Sequence, residues 1–249
     1  MLDLKTDGIT ILKGFFEKDT IEELRESAKG VFKIQFKYFG YSDYDSEEGF
    51  KECMIKLFEE QFDAFQNCGK LIQSGLIELY NIAYHDKLIE QLKLFGLDNP
   101  LMCTRPVLYF NHPDLAKKEQ YYKTPMHQDY PSMLSSADSV VVWIPLMDVS
   151  TENGTVIFYP KTHLLGPLTN GISESGFAEV EFDKESYESI QPTLEIGDIA
   201  IFSTLLVHKS GDIINDEIRW SCHFRYTNLN DKDFIERGFP SPYMYKSIA

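Results

Sequence analysis

The spacing of apolar residues divides the chain into two textures. Between Asp19 and about Leu97 they recur at steps of three and four, with Ile21, Leu24, Ala28 and Val31 on one stripe and Phe50, Met54, Leu57 and Phe62 in a later stretch. That period marks helices that bury one face. It predicts a first helix through DTIEELRESAKGVF with its N-cap at Asp19, a helical block from Glu47 to Leu79, and a third helix from Asp86 to Phe95. Ahead of them, GITILKGFF reads as a short strand feeding the first helix.

From about Pro100 the pattern changes to short runs rich in β-branched and aromatic residues: LMCTRPVLYF, SVVVWIPLMDV, GTVIFYP, GDIAIFSTLLVH and IRWSCHFRYTN. Runs of this kind between turn residues predict strands. Asn153-Gly154 reads as a hairpin turn, and Gly197-Asp198 and the loop from Gly211 to Asn215 separate the later runs. The fold class that follows is α+β and mainly β: a double-sheet jelly roll braced on one face by the N-terminal helices. Residues 1–249 are expected to form a single domain, with 1–99 as mostly helical support, 100–230 as the β core and 231–249 as a C-terminal tail. There is no internal repeat and no low-complexity linker.

Composition narrows the partners. Lys and Arg number 24 against 39 Asp and Glu, a net charge of −15, which disfavours nucleic acid and anionic membrane surfaces. Apolar residues at 43% are ordinary for a globular core. No apolar run approaches the ~18 residues that span a bilayer, and MLDLKTDGIT is acidic where a secretory signal carries its apolar core. A soluble, cytoplasmic protein is expected. Cys53, Cys68, Cys103 and Cys222 show no CxxC spacing, so they are read as buried thiols rather than a zinc knuckle or disulfide framework.

Chemistry enters with the histidines. TPMHQDY sets His127 and Asp129 two apart just before the sheet, where alternate residues of an extended segment reach the same side. The same spacing occurs at His112 and Asp114, but there Pro113 intervenes in a polar, loop-like stretch. A metal site of two histidines and one carboxylate needs a third ligand from elsewhere. His208 is the candidate, at the end of the apolar strand IAIFSTLLV, with Arg219 eleven residues further at the start of the next strand. The loop HKSGDIINDEIR would join those two strands as a hairpin and bring both residues to one mouth of the barrel. A planar, permanently charged arginine suits a buried carboxylate better than lysine does. In that last strand Arg219, Ser221, His223 and Arg225 share one face and Trp220, Cys222, Phe224 and Tyr226 the other. The polar file fits either a lined pocket or a solvated sheet face.

Taken together, HQD at 127–129, ENGTVIFYPKTH at 152–163, GDIAIFSTLLVHKSG followed by IRWSCHFRY, and the opening GITILKGFFEKDTIEELRE resemble the phytanoyl-CoA dioxygenase family of Fe(II)- and 2-oxoglutarate-dependent oxygenases. The resemblance implies a double-stranded β-helix (cupin-like) core, Fe(II) held by His127, Asp129 and His208, and 2-oxoglutarate as cosubstrate, its distal carboxylate on Arg219 with Ser210 beside it. It further implies cosubstrate contacts from Gln128 and Tyr109, and offers Trp143 either as a wall of the pocket or as plain core. His163, ending PKTH where the family has a Pro-Gly-Ser-His turn, is given at most a supporting role because Lys161 replaces the glycine. His223 is read as a satisfied core histidine or a substrate contact. His85, in a helical segment, is left unassigned.

The implied reaction consumes O2 and 2-oxoglutarate, releases succinate and CO2, and hydroxylates a C–H bond of a small molecule. Related halogenases carry a small residue in place of the carboxylate, so Asp129 favours hydroxylation, while desaturation, ring closure and epimerisation would use the same ligands. Lys117, Lys118 and Lys123 are either a basic lid over the site or a solvated run. A cupin-like isomerase or hydrolase on the same three ligands is one rival reading, though it has no need for Arg219 and Ser210; a silent binding barrel is another, which the intact ligand set disfavours. The sequence gives no sign of oligomeric state.

Overall fold

The computed structural model describes residues 2–117, 122–168, 170–172 and 178–242. Lys118 and residues 243–249 of the expected tail lie outside them. A single turn, α1 (Leu4–Asp7), leads into β1 (Ile9–Leu12), after which five helices form one layer: α2 (Lys18–Tyr38), α3 (Glu47–Glu60), α4 (Phe62–Gly75), α5 (Ile77–Ala83) and α6 (Asp86–Leu94).

In α2 the buried residues Ile21, Leu24, Ala28, Phe32 and Phe36 form a single inward stripe. The helix begins earlier than its sequence signal. Glu17 occupies the N-cap position without a side-chain bond, and Asp19 sits in the first turn, where its charge still complements the helix dipole. The block from 47 to 79 is broken twice, at Gln61 and at Leu76, because both residues leave helical geometry. Apolar steps of three and four persist across those breaks, so periodicity alone runs the helices together. The start of α3 follows convention, with the Ser46 hydroxyl accepting from the Gly49 N–H at 3.1 Å.

The β region comprises β2 (Pro100–Met102), β3 (Val107–Asn111), a helical turn α7 (Tyr130–Met133), β4 (Val140–Pro145), β5 (Ile157–Phe158), β6 (Asn170–Ile172), β7 (Ala178–Val180), β8 (Ile199–Ser203), β9 (His208–Lys209), β10 (Arg219–Asn228) and a closing helix α8 (Lys232–Glu236). The main sheet runs β1-β8-β4-β10-β2, with β3 also on β10, and all its pairings are antiparallel. A second, shorter sheet pairs β5 with β9 and is widened by single bridges from His127 to His208 and from Phe158 to Ile190. β6 and β7 pair only with each other. The result is the expected jelly roll, an antiparallel sandwich with helices on one face.

Alternation along the strands builds two cores. Val140, Val142, Ile144, Ile199, Ile201, Trp220, Cys222, Phe224 and Tyr226 face the helices. Val141, Trp143, Ala200 and Phe202 face inward and meet Val156, Phe158, Leu194 and Leu206 across the roll. Phe32 joins helices to sheet, its ring 5.1 Å from Phe110 and 6.5 Å from Trp220.

Three expectations about connections are corrected. Asn153-Gly154 does form a tight turn, with Gly154 at φ 76° and the Asn153 amide bonded to Ser150 N and Asp148 O. It is not a hairpin, because β4 and β5 lie in different sheets. The stretch IAIFSTLLVH is likewise not one strand. β8 ends at Ser203, where Leu206 N–H bonds back to Ser203 O at 2.9 Å, and the chain crosses to the second sheet before His208. Finally, β9 and β10 are not a hairpin pair, since β9 bonds β5 and β10 bonds β3, β4 and β2. Jelly-roll strands alternate between sheets, so sequence neighbours are separated where a meander would pair them.

Phe32→Ala should lower unfolding free energy by roughly 3–5 kcal/mol, the usual cost of emptying a buried phenylalanine site. Urea denaturation followed by circular dichroism checks this, and a loss under ~1 kcal/mol would mean that the helix layer is not anchored through that ring.

Candidate metal centre

His127 is placed by backbone pairing with β9. Its N–H donates to His208 O at 3.0 Å and the His208 N–H donates to His127 O at 3.1 Å. Two distant segments thereby set their imidazoles side by side, with ring centroids 4.2 Å apart. Asp129 then departs from extended geometry, at φ −74° and ψ −30°, as the chain enters α7. The carboxylate nonetheless joins the imidazoles: one ligand atom from each of His127, Asp129 and His208 lies within 4.8 Å of the others.

Protons and charges at this cluster are ordered. His127 Nδ1 lies 2.7 Å from Pro125 O and His208 Nδ1 lies 2.9 Å from Leu206 O. A carbonyl only accepts, so each Nδ1 carries the proton and each Nε2 keeps a free lone pair. Burial lowers the pKa of both rings, that of His208 to about 3 with the neighbouring His127 adding to the effect. For Asp129, burial alone would raise the pKa, but the Arg225 guanidinium and the two imidazoles outweigh it and hold the acid ionised far below its usual range. Arg225 Nε donates to Asp129 Oδ1 at 2.7 Å.

The other carboxylate oxygen, Oδ2, is buried without a hydrogen-bond partner and lies 3.4 Å from His208 Nε2. An unpartnered buried carboxylate oxygen facing an unprotonated nitrogen is unfavourable in the absence of a cation. Two imidazoles and one carboxylate are a complete ligand set for a divalent transition metal with coordination positions left open. The residues present therefore fit a metal ion.

The cluster opens on a cavity of about 130 Å³ that is also lined by Arg219, Ser210, Tyr109, Trp143, His223 and Arg225. Arg219, only 4% exposed, donates through Nη1 to Gly154 O and leaves Nε without a partner. Burial draws its pKa down to about 10, so it stays charged at neutral pH. The Ser210 hydroxyl accepts from Thr124 N–H at 3.0 Å. Burial raises the Tyr109 phenol above its ordinary value and keeps it neutral. The polar file of β10 thus lines a pocket and is not a solvated face, while its apolar file packs on the helices.

Gln128 is not brought to this cavity. Its Nε2 donates to Gly166 O at 3.0 Å and Leu205 O at 2.6 Å, and its Oε1 accepts from Leu168 N–H at 2.9 Å. The middle residue of an extended stretch points opposite to its neighbours, and here the amide fastens the surrounding backbone instead.

The remaining candidates scatter. His112, buried at 4% exposure, bonds Asp216 Oδ1 at 3.2 Å, and among the described residues neither it nor Asp114 belongs to a metal-sized cluster. His163 bonds Lys5 O at 3.2 Å and packs on Gly8, a structural place near the N-terminus. His85 caps α6. His223 lies in the cavity between Tyr109 and Trp143, its ring 5.0 Å and 6.4 Å from theirs, and burial keeps it neutral. Lys123 pairs with Asp212, and Lys117 stands 3.4 Å over the Phe62 ring. Arg225 and Asn111 are among the cavity residues that go beyond the sequence candidates. Arg225 is signalled only as the last member of the polar file, and Asn111, whose Oδ1 is buried and unpartnered, carries no signal at all.

Residues 4–221 match the family model for phytanoyl-CoA dioxygenase (PhyH). The chain belongs to this family. Human peroxisomal phytanoyl-CoA dioxygenase is 28% identical over 157 residues, which make up 59% of this chain and 46% of the human protein, so the match spans about half of that relative. Among solved structures, the epimerase SnoN in complex with Fe3+, alpha ketoglutarate and nogalamycin RO is similar with a TM-score of 0.60 at 18% identity, over 90% of this chain and 80% of that one. The alpha ketoglutarate dependent carbocyclase SnoK from nogalamycin biosynthesis is similar with a TM-score of 0.54 at 15% identity, over 96% and 89% of the two chains. These likenesses establish the jelly-roll fold of the PhyH chain. None of its described helices is long and apolar enough to cross a membrane.

The buried imidazoles set a pH dependence for the metal-free protein. An unfolded histidine takes up a proton near pH 6.5, whereas folded His208 resists until about 3, so the unfolded state binds more protons throughout that interval. Stability should therefore fall as pH drops from 6.5 towards 3. Urea midpoints at pH 7.0, 5.5 and 4.5, each approximate, should decline more shallowly in His208→Gln, which cannot protonate. Parallel declines would remove His208 as a source of the dependence.

Proposed function

We propose that this PhyH-family chain is an Fe(II)- and 2-oxoglutarate-dependent oxygenase that hydroxylates a C–H bond of a small molecule. The observation that carries the reading is the unpartnered Asp129 Oδ2 beside His208 Nε2, clustered with His127 within 4.8 Å, with a buried arginine in the same cavity. In this reading His127, Asp129 and His208 hold the iron, which supplies oxygen activation coupled to decarboxylation of the oxoacid to succinate and CO2. Arg219 takes the distal carboxylate of 2-oxoglutarate, its free Nε–H and retained charge suiting an acid at the inner end of the cavity. Ser210 supports that end, Tyr109 walls it as a neutral phenol, and Trp143 and His223 border the space left for substrate. Substrate enters a largely buried cavity, which excludes bulk water from the reacting carbon.

Relatives of this fold include an epimerase and a carbocyclase, as their descriptions state. Product mass therefore distinguishes insertion of one oxygen atom from an outcome without it. A cytoplasmic setting remains part of the proposal, and the human relative is described as peroxisomal.

Incubating the ferrous protein with 2-oxoglutarate in air should yield succinate, and none should form anaerobically; absence of succinate under both conditions, with a panel of metals and metabolites, would overturn the reading. His208→Ala should abolish iron retention, measured by metal content after gel filtration. Arg219→Ala should leave iron content intact and raise the 2-oxoglutarate requirement. A charge-assisted hydrogen bond contributes ~1.5–3 kcal/mol, so the half-saturating concentration should rise roughly 10- to 100-fold. An unchanged requirement would remove Arg219 from the cosubstrate site.

A further inference from the structure

Arg225 is more than a lining residue. It is 7% exposed, it lies on the same face of β10 as Arg219 and His223 and lines the same cavity, and its Nε donates to Asp129 Oδ1 at 2.7 Å. The two oxygens of Asp129 are thus unequal: Oδ1 is engaged by the guanidinium, and Oδ2 has no hydrogen-bond partner and faces His208 Nε2. Asp129 occupies the N-cap position of α7 without making a side-chain capping bond, so the helix end does not orient its carboxylate.

We propose that Arg225 is a positioning residue that orients Asp129 so that one carboxylate oxygen alone is presented to the metal. This rests on the metal-site reading given above. Three features of the structure argue for it. First, Arg225 is delivered by the same strand that carries Arg219, and β10 is held on both sides, by β4 and by β3 and β2. Its guanidinium is therefore set by the sheet rather than by the loop that carries Asp129. Second, the bond uses Nε, the donor nearest the stem and the one with least freedom to swing. Third, a carboxylate released from this bond could turn both oxygens inward and occupy a coordination position that two substrates, the oxoacid and O2, require. A guanidinium beside a metal also repels it, so the inference has a definite opposite: if repulsion governed, removing Arg225 would tighten metal binding.

The test is Mn(II) titration of the full chain, read by loss of the free-ion paramagnetic resonance signal, so that turnover is not involved. It compares the parent with Arg225→Met, which keeps the bulk of the side chain without donors, and Arg225→Lys, which keeps charge without the fixed Nε donor. Circular dichroism melting of the metal-free forms sets a temperature at which each is folded. The dissociation constant should weaken by about 10-fold or more in Arg225→Met, the usual range for loss of a partner that orients a metal ligand. Arg225→Lys should fall between it and the parent, at least about threefold weaker, since a point charge does not replace an oriented fork. Should the Met variant fail to fold, the Lys variant decides alone. A folded variant that binds Mn(II) within twofold of the parent, or more tightly, overturns the positioning role while leaving the metal site intact. A parent that binds no Mn(II) overturns the metal-site reading and this inference with it.

Discussion

The centre of this protein depends on one reciprocal pair of backbone hydrogen bonds, between residue 127 and residue 208. Neither partner belongs to a long strand. Each sits at the end of a short segment of the minor sheet, where only a bridge or a two-residue ladder holds the register. A slip of one residue would turn both imidazoles away from each other, since side chains alternate sides along extended chain. The register is secured from outside the pair: Tyr159 N–H bonds Val207 O at 3.0 Å, Ser210 N–H bonds Thr124 O at 3.1 Å, and the Gln128 amide ties this stretch to Leu205 and Leu168. Gln128 thus serves the site by holding the backbone on which its neighbours stand.

The main sheet supplies what the minor sheet lacks. β10 is ten residues long, is flanked on both edges, and buries its apolar file against α2–α5, so its polar file is rigidly presented to the interior. Two arginines leave this strand into one cavity with separate partners, Gly154 O for Arg219 and Asp129 for Arg225. Buried cations are tolerable only when paired or intended for a ligand. Here the charge count is consistent with that rule: Arg225 offsets Asp129, and Arg219 has a carbonyl and an unfilled Nε that an acid would complete.

Four orphaned polar atoms belong to residues around the same space. Asp129 Oδ2, Arg219 Nε, Trp143 Nε1 and Asn111 Oδ1 are all buried without partners and all belong to residues lining the cavity. Such groups cost free energy in an empty fold and are rare in core regions with no ligand to meet. They cluster where Tyr109, Trp143 and His223 stack edge to face, a set of rings that keeps the space open yet shielded.

The sequence by itself carried the division into helices and strands, the jelly-roll class, the split of β10 into a polar and an apolar file, and His127, Asp129, His208 and Arg219 as the candidate set. These are written in periodicity and in residue types whose chemistry has few other uses at such spacing, because a strand's alternation and a helix's stripe are local properties. Tertiary structure alone decided the strand pairing, which sent β4, β5, β9 and β10 to alternating sheets instead of hairpins. It separated His112 from the site by giving it Asp216, turned Gln128 away from the cavity into buried backbone bonds, and brought Arg225 and Asn111 in. Those outcomes hang on contacts between positions far apart in the chain, and a one-dimensional pattern carries no record of which remote backbone or carboxylate a side chain will meet.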